Sequence, residues 1–135
     1  ATQTFSGADI NLADNLLIRP EIQDYSLTHN VITSVAGVLT IDMTDGNSFI
    51  TTLFENITTV TIEGVPATSK EAAFTLRVIQ DGAGGAYTVA QPAAATYPGG
   101  TAWVISTGND ARDKATYTSI DAGTIWEIDY SKAYS

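Results

Sequence analysis

The segment FTLRVIQDGAGGAYTVAQPAAATYPGGTAWVIS, residues 74 to 106, sets the fold class of this chain. Its first residues divide between two faces, Phe74, Leu76 and Val78 on one and Thr75, Arg77 and Ile79 on the other, the two-residue period of a pleated strand. Asp81-Gly82 and Gly84-Gly85 then supply positions that tolerate positive φ, as a chain reversal needs. A second strand is expected at Tyr87 to Ala90, running into Pro92. A third is expected at Ala102 to Ser106, after the turn Pro98-Gly99-Gly100. The local pattern is that of a β-hairpin followed by a stiff turn.

Outward from this segment the punctuation is regular. Strands are expected at Val31 to Ser34, Val38 to Met43, Ser48 to Phe54, Thr58 to Glu63, Ala115 to Ile120 and Ile125 to Tyr130. They are separated by Ala36-Gly37, Asp45-Gly46-Asn47, Gly64-Val65-Pro66 and Asp121-Ala122-Gly123. About nine short strands with turns at this spacing predict an all-β fold, an antiparallel β-sandwich of jelly-roll-like form. Thr and Ala are the commonest residues, and β-branched Thr, Val and Ile suit a half-buried pleated surface.

Residues 1 to 30 read differently. Phe5, Ile10, Leu12, Leu16, Leu17, Ile18, Ile22 and Tyr25 are scattered without alternation. Ala8 to Leu17 allows one helical stretch, which Gly7 and Pro20 bound. The expected organisation is an N-terminal arm over 1–30 that contacts a partner, and a β-sandwich domain over 31–135. The alternative is that the first thirty residues are a strand and loop of the same core. Apolar residues in a segment without its own core need a surface to cover them.

The chain has 135 residues, 15 Asp and Glu against 6 Lys and Arg, a formal net charge of −9, no cysteine and one histidine. This length supports one self-sufficient core. The missing cysteines exclude disulfides and thiolate chemistry, and His29 alone makes no histidine metal centre. The acidic balance argues against nucleic acid as a partner. With no leader-like segment and no run of eighteen apolar residues, no membrane contact is expected.

Carboxylates are the remaining catalytic currency. Asp42 with Asp45, Asp110 with Asp113, and Asp121 with Asp129 all sit beside turn residues, where Asp serves local hydrogen bonding. A glycosidase would need two carboxylates facing each other across a cleft. Asp42 to Asn47 has oxygen ligands near a glycine but lacks the alternation and closing Glu of a calcium loop. Asp110-Ala111-Arg112-Asp113-Lys114 is expected to be a solvated, self-compensating tip. Gly82 to Gly85 lies between strands and is a loop, not a phosphate cradle. Asn56-Ile57-Thr58 matches a glycosylation triplet by chance. Trp103, Trp126, Tyr97, Tyr117 and Tyr130 are expected in the core or a subunit interface; the competing role is a sugar-stacking platform. No enzyme and no cofactor is expected.

Several motifs together resemble a family of small tailed-bacteriophage virion proteins and tail-fibre-terminal modules. The matching residues are Gln80-Asp81-Gly82-Ala83-Gly84-Gly85, Val89-Ala90-Gln91-Pro92, Tyr97-Pro98-Gly99-Gly100-Thr101-Ala102 and Asp121-Ala122-Gly123-Thr124-Ile125-Trp126, with a lead-in from Asp14 to Ser26. Gln91 and Tyr97 stand where that family places tryptophan, and Trp103 stands in place of a proline. The aromatic packing around the marker turn, Tyr97, Pro98, Gly99, Gly100 and Trp103, is therefore rearranged. The resemblance implies a structural protein without catalytic residues, a homotrimer located in the virion on the capsid surface and made in the host cytoplasm. It would bind the major capsid protein or other virion subunits; the alternative is a tail-fibre or adhesin tip that binds a host receptor.

Overall fold

A computed structural model describes residues 26–134. The arm residues Phe5, Ile10, Leu12, Leu16, Leu17, Ile18, Ile22 and Tyr25, named above as a partner-contacting surface, lie outside the described residues. Eight strands follow in chain order: β1 (Asn30–Val31), β2 (Val38–Asp42), β3 (Ser48–Thr52), β4 (Thr59–Glu63), β5 (Ala72–Ile79), β6 (Ala95–Thr96), β7 (Arg112–Ser119) and β8 (Trp126–Tyr134). The only helical pieces among these residues are short 3-10 turns at Met43–Asp45 and Pro98–Gly100. The expected all-β class holds.

The expected antiparallel pairing does not. One sheet runs β1-β3-β5-β7-β8-β6 and a second pairs β2 with β4. Four ladders, β1/β3, β3/β5, β2/β4 and β6/β8, are parallel, and only β5/β7 and β7/β8 are antiparallel. From β1 to β5 the chain alternates between the two sheets and returns to each in parallel register, Asn30 opposite Phe49 and Phe49 opposite Leu76 in one, Val38 opposite Thr59 in the other. It thus winds as a short parallel coil, and β5, β7 and β8 complete it as a meander. These ladders do not reproduce a jelly roll. Alternation reports which face a residue takes, and that period is the same for either strand direction.

One apolar cluster is shared by both sheets. Leu39 and Ile41 of β2, Phe49 of β3, Phe74, Leu76 and Val78 of β5, Ala115 and Tyr117 of β7, and Trp126 and Ile128 of β8 are buried in it, with Val60 and Ile62 packed alongside. On β5 the burial alternates from Ala72 to Ile79 as the sequence predicts. Phe74 is the aromatic hub. It stacks on Tyr117 at 4.7 Å between centroids and meets Phe49 and Trp126 edge-on at 5.8 and 5.6 Å. Edge-to-face and offset pairs of this kind add about 1 kcal/mol each to the area they bury.

Two expected strands form no ladder. Both edges of β5 are taken, by β3 and β7, so the hairpin predicted between Phe74–Ile79 and Tyr87–Ala90 has no free edge to form on. Instead, the Ile57 N–H donates to Thr88 O and the Ala90 N–H to Ile57 O, both at 2.8 Å, leaving one parallel bridge from Val89 to Ile57. The fully buried Gln80 side chain stands in for a strand partner: its Nε2 donates to Tyr87 O at 2.7 Å and its Oε1 accepts from the Tyr87 N–H at 3.1 Å. The segment Ala102 to Ser106 keeps its alternation, with Trp103 and Ile105 buried and Val104 exposed, yet has no strand neighbour.

That segment is held by Asp113, 1 % exposed on β7. Its Oδ2 accepts from the Ser106 N–H at 2.8 Å and from Trp103 Nε1 at 3.3 Å, and its Oδ1 from the Ala133 N–H at 2.8 Å. A buried carboxylate is tolerated where its lone pairs are filled in this way. Asp113→Ala strands three donors and is expected to lower unfolding free energy by about 3 kcal/mol or more, read from the urea midpoint. The opposite sign is expected at Thr51, 1 % exposed, whose hydroxyl has no hydrogen-bond partner among the described residues. Thr51→Val replaces that hydroxyl by a methyl of equal size and should raise stability by about 1 kcal/mol in the same titration.

Candidate functional site

One member of each carboxylate pair considered for catalysis is engaged in local hydrogen bonds. Asp42 caps the Met43–Asp45 turn, accepting from Thr44 N at 2.9 Å and Thr44 Oγ1 at 2.7 Å, which holds its carboxyl below the usual range. Asp121 accepts from Ile125 N at 3.0 Å and Ser119 Oγ at 2.7 Å in the β7–β8 turn, with the same consequence. Asp113 is spent on the core. No group of three or more His, Cys, Asp or Glu that could hold a metal ion occurs among the described residues. Asn56 of the glycosylation triplet is engaged through its own oxygen, which accepts from Thr88 N at 3.0 Å and Thr88 Oγ1 at 3.2 Å.

The aromatics resolve toward the core reading. Trp103, Tyr117 and Trp126 are buried, and Tyr97 and Tyr130 are half-buried against them. Trp103 stacks on Tyr130 at 6.1 Å, and Tyr130 meets Tyr97 at 6.4 Å and 76°. Burial, reinforced by Tyr130, pushes the Tyr97 hydroxyl up from its ordinary value. In the marker turn, Pro98 opens the 3-10 turn, and Gly99 and Gly100 take φ of 63° and 73°. Nothing lies within 4 Å of where a side chain would start at either glycine. The marker turn thus anchors aromatic packing through Tyr97 and Trp103, while its tip faces open space.

The feature best suited to contact a partner is the first edge of the parallel coil. Among the described residues β1 is the last strand of its sheet and β2 has β4 on one side only, so backbone donors and acceptors are left along both. Between them lies the tight turn Val35-Ala36-Gly37-Val38. It is closed by reciprocal bonds of 2.9 and 3.0 Å, with φ of 51° at Ala36 and 77° at Gly37. Positive φ at both central positions matches the twist of a two-residue reversal. Gly37 is required there, since a Cβ would lie 3.0 Å from Thr58 Oγ1. The turn is tied to the next coil by Thr58 N on Gly37 O at 2.8 Å and by Ser34 Oγ on Glu55 Oε1 at 2.6 Å. Leu27, Val31, Val35 and Val38 are exposed on this edge, as is Phe54 beside Glu55. Exposed apolar side chains next to unpaired strand edges are what a docking partner covers.

A second grouping was missed in the sequence. Residues 110 to 114 do not form a self-compensating tip. The strand period of β7 turns Asp113 into the core and leaves Arg112 and Lys114 on the outer face, opposite Ile79 and Arg77 of β5. The clue was available: strand alternation through Arg112 to Ser119 separates the charges that sequence proximity appears to pair.

Comparison of the chain with protein families, curated proteins and solved structures gives no match. No helix among the described residues is long and apolar enough to cross a membrane.

Glu55 offers a direct test of how the exposed turn is held. Its bonds from Ser34 Oγ and the Gly37 N–H depress its carboxyl below the ordinary value of 4.5. A depressed pKa means that the charged form stabilises the fold. The contribution is complete above pH 4.5 and is lost as pH falls through the lower folded value. Glu55→Gln should therefore melt below the parent at neutral pH, with the difference closing under acid in a thermal scan across pH.

Proposed function

We propose that this chain is a non-enzymatic virion structural protein that decorates or cements a phage capsid shell, with the major capsid protein or neighbouring virion subunits as partners. The observation that carries an assembly role is the first edge of the parallel coil, which no described residue covers. Among the described residues β1 and β2 are each paired on one side only, and Val31, Val35, Val38 and Phe54 are exposed beside them. A parallel stack without a polar cap ends in a surface suited to association. Residues 1–25 join the chain at Ser26, next to this edge, so an arm over 1–30 and the edge would act as one binding surface. The virion as the setting rests on the sequence resemblance around Gln80 to Gly85, Tyr97 to Ala102 and Asp121 to Trp126. In this reading the strand-rich body is the outward part, arranged as a homotrimer on the shell.

Two measurements test the proposal. Virions labelled with an antibody against this chain should carry label over the head in negative stain. Absence of label from virions overturns the reading, and label confined to the tail tip replaces it with the receptor-binding alternative. In co-sedimentation with shells lacking the protein, deletion of residues 1–25 and the double change Val35→Asp with Phe54→Asp should each weaken binding roughly tenfold or more. Unchanged binding by both would remove the edge and the arm from the interface.

A further inference from the structure

One end of the outer face of β5 and β7 gathers positive charge against the trend of the molecule, while the same face farther along β8 carries Glu127 and Asp129. Arg77, Arg112 and Lys114, half of the chain's 6 basic residues, line one groove of about 300 Å³ with Ile50, Ile79 and Tyr134. Asp113 also borders it, but its oxygens point inward to Trp103, Ser106 and Ala133. Arg77 and Lys114 are direct partners across the β5/β7 ladder. Like charges so placed cost stability. Among the described residues none of the three is ion-paired; Arg77 reaches only a hydroxyl, Ser48 Oγ at 3.3 Å. A chain of net charge −9 has carboxylates in excess, and the nearest one along the sheet, Asp129, lines the next hollow with Lys114 without pairing with it; among the described residues the three cations thus share a groove in which an anion would complete the arrangement.

The backbone is also adjusted at this point. From Thr118 opposite Glu127 to Lys114 opposite Ser131 the β7/β8 register is regular, and it then slips so that Arg112 faces Tyr134. Two residues of β8, Lys132 and Ala133, therefore stand against Asp113 alone. The Ala133 N–H that the bulge displaces from the ladder is taken by the Asp113 carboxylate at 2.8 Å. A one-residue slip exchanges the faces of every side chain beyond it. Without it Tyr134 would continue the inward row of Trp126 and Ile128; with it the ring stands on the cationic face, 48 % exposed, 5.9 Å from Lys114 Nζ. Arg112 and Tyr134 also line a wider cleft of about 710 Å³ whose far side carries Asn109 and Asp110.

We propose that this groove binds a short acidic saccharide, its carboxylate or sulfate held by Arg77, Arg112 and Lys114 and its ring against Tyr134. Guanidinium groups take both oxyanions in forked geometry, and an apolar floor beside an aromatic ring suits the faces of a sugar. Hydroxyl partners adjoin the cations, Thr75 opposite Thr116 and Ser131 opposite Lys114. An acidic peptide is the poorer fit. Peptides commonly bind a sheet by adding a strand at its edge, whereas β5 and β7, which carry the cations, are paired on both sides. A long polyanion is disfavoured by the net charge of the whole chain. The proposal is independent of the shell-binding reading.

The test is calorimetric titration of the full chain with a heparin-derived tetrasaccharide and with a sialic acid trimer. Maltotetraose, a glutamate hexapeptide and a short DNA duplex serve as comparisons. Binding of either acidic saccharide but of none of the comparisons is expected, and which one binds tells sulfate from carboxylate. Arg112→Ala and Tyr134→Ala should each weaken it roughly tenfold. Arg77→Gln should weaken binding while keeping or raising the melting temperature, because it removes a like-charge pair; a merely structural role would lower that temperature. No binding of either acidic saccharide at millimolar concentration overturns the proposal. So does equal binding of the hexapeptide or DNA, or affinity indifferent to all three substitutions in variants that melt as cooperatively as the parent.

Discussion

The fold depends on one strand being paired in opposite senses on its two sides. β5 runs parallel to β3 and antiparallel to β7, so it is where the coil of alternating sheets ends and the meander begins. Its inward residues, Ala72, Phe74, Leu76 and Val78, form the middle of the core, and Phe74 touches an aromatic of β3, β7 and β8. With both edges occupied, the rest of the chain must find other partners. That is why the backbone at Tyr87 is met by a glutamine side chain and the segment from Trp103 to Ser106 by a buried aspartate. These two side chains do work that ladders do elsewhere, for segments that follow β5 in the chain and find its edges already taken.

What the sequence made legible was local. The faces of β5, the positions of β2, β4 and β8 to within a few residues, and the reversals at Ala36-Gly37 and Asp121 to Gly123 all follow from period and turn chemistry. Partnership was not legible, because alternation is blind to strand direction and to whether a neighbour has an edge to offer. Tyr87–Ala90 and Ala102–Ser106 have the composition of strands, but the strand nearest them in sequence, β5, is paired on both sides. The cationic groove was hidden for a related reason. Arg77 and Lys114 are far apart in sequence and meet only through the β5/β7 register, and Tyr134 reaches their face only because of one extra residue in β8.

The two surfaces singled out differ in construction. The edge at β1 and β2 is apolar, held by a turn with positive φ at Ala36 and by a carboxylate at Glu55, and it presents backbone groups as well as side chains. The face over β5 and β7 presents side chains alone, since its backbone is committed to ladders. An edge of the first kind favours another polypeptide, and a face of the second kind favours a ligand with its own charge. One small domain can therefore carry both without either disturbing the other, because the core lies between the open edge strand β2 and the outer face of β7.

The connectivity also orders assembly in time. Among the described residues β7 and β8 are the only paired strands that follow each other directly in the chain; every other ladder there skips one intervening strand. Closing short loops costs little chain entropy and takes microseconds, whereas parallel returns wait for longer segments to be brought together. The turn in which Asp121 gathers Ser119 and Ile125 is thus placed to close first, giving β5 an edge on which to settle. The coil, although it comes earlier in the sequence, then has a surface on which to wind.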